Sequence, residues 1–176
     1  MSTFHRSGDS YLATFSADEV RVLRRVADEI VALLTDSFDH GDPVVGRLFP
    51  DVYPDDPQDS AEYRRYTEGD LKTAKIDQAG AILAALPPRG GGTVRLDAEE
   101  AETWLRAIND VRLAMAVRLE ITAGTDIEEE LGQAVSADPA SSRVFQLSVY
   151  AYLGYLQESL LQALIGHPAN ARWSEE

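Results

Sequence analysis

The strongest constraint on this fold is the segment DPASSRVFQLSVYAYLGYLQESLLQALI, Asp138 to Ile165, which reads as one helix with apolar residues on two faces. Asp138 and Pro139 supply an N-cap and first-turn pair. One stripe carries Phe145, Val149, Tyr152, Leu153, Leu156 and Leu160. A second, nearly opposite, carries Leu147, Tyr150, Gly154, Leu161 and Ile165. A helix apolar on both sides must be covered on both. It is either the central helix of a bundle or a helix with one stripe at a subunit interface. The second alternative makes a homodimer an expectation.

Other helical segments supply partners for it. Ser16-Ala17-Asp18-Glu19 is a capping box, and the helix it opens runs to about Phe38. Val20, Leu23, Val26, Ala27, Ile30, Leu33, Leu34 and Phe38 share its apolar stripe. Its other face holds Arg21, Arg24, Arg25, Asp28 and Glu29, where Arg24 reaches Asp28 and Arg25 reaches Glu29 at i,i+4 spacing. That is a self-neutralised solvent face. A second helix, capped by Asp59 or Ser60, continues to Leu86, with a kink expected near Gly69. The run PPRGGG, Pro87 to Gly92, ends it and reads as a flexible turn, because it lacks the lysine and hydroxyl of a phosphate-binding loop. Asp97 to Glu100 is another capping box. Its helix runs to about Ile121, with Ala101, Trp104, Ile108, Val111, Met115 and Leu119 inward and Gly124 as the stop. Asp126 to Gly132 reads as a short acidic helical turn.

Residues 1–15 read as a small hairpin, since TFHR and YLATF flank the turn cluster SGDS. After Gly166 and Pro168 the tail, 168–176, is expected to fray, with Trp173 as a residue that could dock. No internal repeat or domain boundary interrupts the chain. The expected fold is all-α: one domain over 1–176, a bundle of four to five helices with a small N-terminal β-hairpin.

Residues 39–59 form a Pro/Asp-rich loop. Pro50, Pro54 and Pro57 each fix φ and remove an N–H, so neither helix nor central strand is expected there. Proline also lowers the entropy lost on ordering. Phe49, Pro50, Tyr53 and Pro54 are the candidate anchors, with Leu48 and Val52 beside them. The loop therefore reads as a rigid cover rather than a linker.

Composition removes several functions. Cysteine is absent, which excludes disulfides, thiolate nucleophiles, Cys-ligated zinc and thiol redox sensing. His5, His40 and His167 are too far apart in sequence to suggest a metal site, and no cofactor is implied. No histidine accompanies a serine and an acid in a triad-like pattern. The acidic pairs Asp55-Asp56 and Glu128-Glu129-Glu130 lie on segments that read as exposed, so an enzyme is not expected. The net charge of −14 opposes direct duplex DNA binding. No apolar run approaches the roughly 18–20 residues of a membrane span. No signal pattern opens the chain, and a cytoplasmic location is expected.

Arg112 is the residue that most needs a partner. It falls between Leu105 and Leu119 on the apolar side of its helix, where an unpaired guanidinium costs several kcal/mol. Glu158, or a carboxylate of the proline-rich loop, is its expected partner, with Asn109 and Gln157 completing the network. A structural network is the first reading, and a site for an anionic ligand is the second. Arg64 and Arg65 are expected to pin the acidic loop.

The stretches LFPDVYPDDPQDSAEYRRYTEGDLKTAK, AEEAETWLRAINDVRLAMAVRL and VYAYLGYLQESLLQALI together resemble the actinobacterial DUF2017 family, a domain of unknown function. The resemblance spans nearly the whole chain. It draws attention to Pro50, Asp51, Tyr53, Pro54, Arg64, Arg65, Trp104, Asn109, Asp110, Arg112, Gly154, Gln157 and Glu158. It implies a regulator of transcription or of Clp-linked proteolysis, since members are encoded near the Clp adaptor and some are labelled oxidative-stress regulators. Cysteine-based sensing in that family cannot operate in this chain. The resulting expectation is a non-enzymatic protein acting by protein–protein contact, with an acidic surface suited to a basic partner. A small-ligand sensor at Arg112 and a DNA-binding regulator are the alternatives.

Overall fold

The structure is a computed structural model that describes residues 1–166, so the expectations for His167, the tail and Trp173 lie outside the described residues. Its elements in order are β1 (His5–Ser7), β2 (Ser10–Phe15), α1 (Ala17–Thr35), α2 (Pro43–Leu48) and α3 (Pro57–Ala85). β3 (Gly92–Leu96), α4 (Ala98–Leu119), α5 (Ile127–Ala137) and α6 (Ser142–Ile165) follow. The helical bundle is as expected. Both capping boxes form: Ser16 with Glu19 opens α1, and Asp97 with Glu100 opens α4. The apolar stripe of α1 is buried from Val20 to Leu34, and the helix ends at Thr35, short of Phe38.

The N-terminal hairpin gains a third strand. β2 pairs antiparallel with β1 and also with β3, bringing Ala13 opposite Val94 and Tyr11 opposite Leu96. The PPRGGG run is thus a structured entry to a strand, not a flexible turn. A Cβ on Gly91 would fall 2.5 Å from the Phe15 carbonyl oxygen, so glycine lets the chain pass against the start of α1. The sheet's inner face joins Trp104, which stacks with Phe15 and meets Phe4 edge-on at 5.7 Å. The Trp104 indole N–H is buried without an acceptor.

Several boundaries differ from the sequence expectation. The Pro/Asp-rich segment contains a helix, α2, because Pro43 sits at its first turn, where the missing N–H costs nothing, behind an Asp42 cap. α3 starts at Pro57 for the same reason and is capped by Asp56, not by Asp59 or Ser60. It runs unbroken through Gly69, and the Thr67 hydroxyl donates back to the Tyr63 carbonyl within the helix. α4 stops at Glu120, which takes the left-handed conformation at φ 58°, before Gly124 is reached. The acidic turn extends to Ala137 as α5. Ser141, rather than Asp138, caps α6, and Asp138 ends α5.

The central helix is α4, not α6: it packs on α1, α2, α3 and α6 and touches both β2 and β3. α6 buries Leu147, Val149, Leu153, Leu156, Leu160 and Ala163. Leu161 and Ile165 of its second stripe are exposed, as is Phe145 of the first. No described helix is long and apolar enough to cross a membrane.

Candidate functional site

α3 has no continuous inward stripe. Along its length only Ser60, Ala79 and Ile82 are buried, and its first half presents Tyr63, Tyr66 and Leu71 to solvent. That half lies beneath the proline-rich segment, and Ser60 holds the two together. The Ser60 hydroxyl accepts from the Tyr53 N–H at 3.1 Å and donates to the Tyr53 carbonyl at 2.7 Å. Arg64 pairs with Asp51 and lies 3.8 Å from Glu68. The loop is therefore pinned by Arg64, as expected of one of the two arginines. Arg65 is exposed and makes no ion pair among the described residues.

Of the expected anchors only Phe49 is buried. Pro50, Tyr53 and Pro54 are exposed, as is Val52, because Ser60 and Arg64 fix the loop through its backbone and Asp51. A groove of about 320 Å³ runs between loop and helix, lined by Pro50, Val52, Tyr63, Arg64 and Leu71 among others. Tyr53 meets Tyr63, which lines the groove, edge-on at 6.3 Å.

Both lysines of the chain serve this joint. Lys72 Nζ lies 4.2 Å from the centre of the Phe38 ring, and Phe38 meets Phe49 edge-on. Lys75 Nζ lies 5.9 Å from the Phe49 ring and donates to Asp110 Oδ1 at 2.8 Å. Asp110 is buried, and that burial raises its pKa, with Lys75 opposing the rise. Sequence reasoning named Asp110 but missed Lys75. The signal was there: Lys75 stands four residues from both Leu71 and Ala79, on the side of α3 that buries Ala79 and Ile82.

Arg112 is not met by a carboxylate. Its Nη1 donates to Gln157 Oε1 at 2.7 Å, its Nη2 lies 3.5 Å from the Tyr150 hydroxyl, and its guanidinium sits 5.0 Å from the Tyr150 ring centre. Its Nε is buried without a partner. The expected pairing with Glu158 does not occur, since Glu158 faces outward and accepts from Gln162. Asn109 is exposed and takes no part; Gln157 does. Stacking on an aromatic ring and a neutral amide replaces the acid, which a half-buried guanidinium tolerates because it is weakly hydrated. Gly154 makes the approach possible: a Cβ there would stand 3.3 Å from Arg112 Nη2.

At the other end, Glu19 ties the N-terminus to α1. Burial disfavours its charge, but the Ser16 and Ser2 amides and the Ser2 hydroxyl donate to it, holding its pKa at about 2. Burial and then the Glu19 carboxylate push the Tyr152 phenol well above its ordinary value. Of the arginine face, Arg25 bonds Glu29 at 3.0 Å, while Arg24 donates to the Pro87 carbonyl rather than to Asp28. Among the described residues no three metal-ligating side chains converge.

A family model described as Domain of unknown function (DUF2017) matches residues 1–164. The chain belongs to the DUF2017 family. Proteins named Oxidative stress regulator AosR from Mycobacterium bovis and Mycobacterium tuberculosis are 29% identical to it, over 92% of this chain and 85% of theirs. A Putative oxidative stress regulator AosR from Mycobacterium leprae is 31% identical over 70% of this chain and 59% of its own. No solved structure matches significantly. Within this DUF2017 chain, the groove beside the proline-rich segment joins exposed apolar side chains to a backbone held from below.

Proposed function

We propose that this DUF2017 protein is a non-enzymatic regulator that acts by binding another protein, seated in the groove between the proline-rich segment and the first half of α3. The observation that carries the reading is the exposure of Val52, Tyr53, Tyr63 and Leu71 on a segment fixed by Ser60 and Arg64. Exposed aromatics on a preorganised surface lose little entropy on binding. Asp51 and Glu68 line the groove, the loop and the first turns of α3 also carry Asp55, Asp56, Asp59 and Glu62, and the molecule carries −14 overall, so the partner surface is basic with an apolar anchor. Transcription or proteolysis machinery is the proposed setting, in keeping with the regulator names of its relatives. Without cysteine, such regulation in this chain works through contact rather than thiol oxidation.

Other readings have less support. Arg21, Arg25, Arg64, Arg106, Arg118 and Arg143 each pair with a carboxylate, and the net charge of −14 repels phosphates. None of five surface grooves is lined by Arg112, which disfavours a ligand pocket there. A photo-crosslinking residue at Tyr66 tests the proposal in cell extract. The expected result is one reproducible protein adduct, weakened by salt and lost in the Tyr63→Ala/Leu71→Ser variant while its helicity is unchanged. Adducts indifferent to that variant would overturn the assignment of the groove.

A further inference from the structure

Tyr53 of the proline-rich segment and Tyr63 of α3 meet with ring centres 6.3 Å apart and planes at 90°. They are 48% and 44% exposed, so both phenols are open to oxidants in solvent. Neither backbone is free to drift. The Ser60 hydroxyl holds the Tyr53 N–H and carbonyl, the Asp56 N–H donates to the same carbonyl at 3.0 Å, and Tyr63 lies within α3. The other tyrosines lack this arrangement. All seven lie among the described residues, and no other two of them meet ring to ring. Tyr11 is buried, Tyr152 is half-buried, and Tyr150 takes the Arg112 guanidinium on its face. Tyr66 and Tyr155 are exposed but face no second ring. No cysteine competes for an oxidant.

A phenol is oxidised one electron at a time. Each tyrosine gives up an electron and its hydroxyl proton and becomes a radical whose unpaired spin is shared with the ring carbons beside the oxygen. Two such radicals join by a carbon–carbon bond between Cε atoms, and each ring then passes the hydrogen on that carbon to its oxygen. Two tyrosines and one hydrogen peroxide thus give one dityrosine and two waters, with a peroxidase-type haem as the one-electron oxidant that passes both electrons to peroxide. Radicals on separate molecules must meet by diffusion. Held side by side in one chain, they couple in an effectively unimolecular step.

We infer that Tyr53 and Tyr63 form a site of oxidative cross-linking: under peroxide and a one-electron oxidant they join as dityrosine, and the bond locks the proline-rich segment onto α3. The edge-on rings need only turn about their side-chain bonds to bring two Cε atoms together, and their exposure leaves room for that turn. The closed loop runs from Tyr53 to Tyr63 and contains Ser60, so a covalent bond reinforces the joint that the Ser60 hydrogen bonds already make. The bond forms within the chain alone, whether or not a partner fills the groove.

Treating the purified, dilute chain with hydrogen peroxide and a haem peroxidase tests this. The expected product is a single chain that shows dityrosine fluorescence. Both residues fall in one tryptic peptide, Leu48–Arg64, which should have lost two hydrogen atoms by mass, whereas a bond to Tyr66 would join two peptides. Tyr53→Phe and Tyr63→Phe should each cut the intrachain dityrosine by on the order of tenfold or more, while Tyr66→Phe and Tyr155→Phe leave it unchanged. In the linked protein, hydrogen exchange over residues 50–56 should slow by on the order of tenfold. No intrachain dityrosine, an intrachain bond through Tyr66, or a Tyr53–Tyr63 bond that leaves exchange over residues 50–56 unchanged would each overturn the inference.

Discussion

Lys75 and Asp110 form an ion pair across the α3–α4 interface, 2.8 Å apart, with side chains only 14% and 7% exposed. The pair lies beneath Phe49, so it also sits at the base of the proline-rich segment. Burying two charges is costly, and their attraction offsets that cost only while both are present.

Removing one partner should therefore be severe. Asp110→Ala or Lys75→Met is expected to lower the unfolding free energy by about 3 kcal/mol or more, whereas Lys75→Met with Asp110→Leu should match or exceed the parent protein. Urea titration of the four proteins measures this. A double variant as unstable as the singles would show that the pair contributes more than its desolvation.

Glu19 gives the molecule an acid-labile joint. Its pKa falls from an ordinary 4.5 to about 2 on folding. The unfolded chain therefore binds the proton more tightly than the native one. The stabilisation is complete above pH 4.5 and is lost as pH falls through the window from about 4.5 to about 2. Glu19→Gln should flatten the decline in denaturation midpoint across that window. An unchanged slope would assign the acid sensitivity to other carboxylates.

The Arg112 site predicts an order of effects. Gln157→Leu strips a half-buried guanidinium of its acceptor and should cost about 1–3 kcal/mol. Glu158→Leu touches only an exposed side chain and should stay within about 0.5 kcal/mol. Gly154→Ala crowds the guanidinium in the parent but should add about 1 kcal/mol of helix stability once Arg112→Ala has removed it. Thermal melts of this double-mutant cycle would read the coupling. Additive effects would mean that the glycine serves no close approach.

Ser60 and Arg64 should separate in their roles. Ser60→Ala leaves the Tyr53 N–H without its acceptor, while the Tyr53 carbonyl keeps only the Asp56 N–H, and is expected to cost about 1–3 kcal/mol, with faster hydrogen exchange over residues 50–56. Arg64→Ala breaks a largely exposed pair and should cost less than about 1 kcal/mol. Equal protection in all three proteins would show that Phe49 alone holds the loop.

Sequence-based expectation succeeded where the determinant was local. Ser16 with Glu19 and Asp97 with Glu100 sit three residues apart, and the caps formed as written. It failed at Pro57, where proline was taken as a breaker although the first turn of a helix accepts it. It failed again at Arg112, where a carboxylate was expected and a tyrosine ring with a neutral amide sufficed. Lys75, on the inward side of α3, was legible but unread.

The sequence by itself determined the long helices and, for α1 and α4, the capping boxes and inward stripes, because i to i+4 neighbours act within one turn. Only the tertiary structure decided that β3 completes the sheet, that α4 is central, that Lys75 meets Asp110 and that Ser60 clasps Tyr53. Ser60 and Tyr53 are 7 positions apart, Lys75 and Asp110 are 35 apart, and Tyr11 pairs with Leu96 from the far side of three helices. These contacts exist only once helix crossings are set, and crossings follow from how all the stripes pack at once.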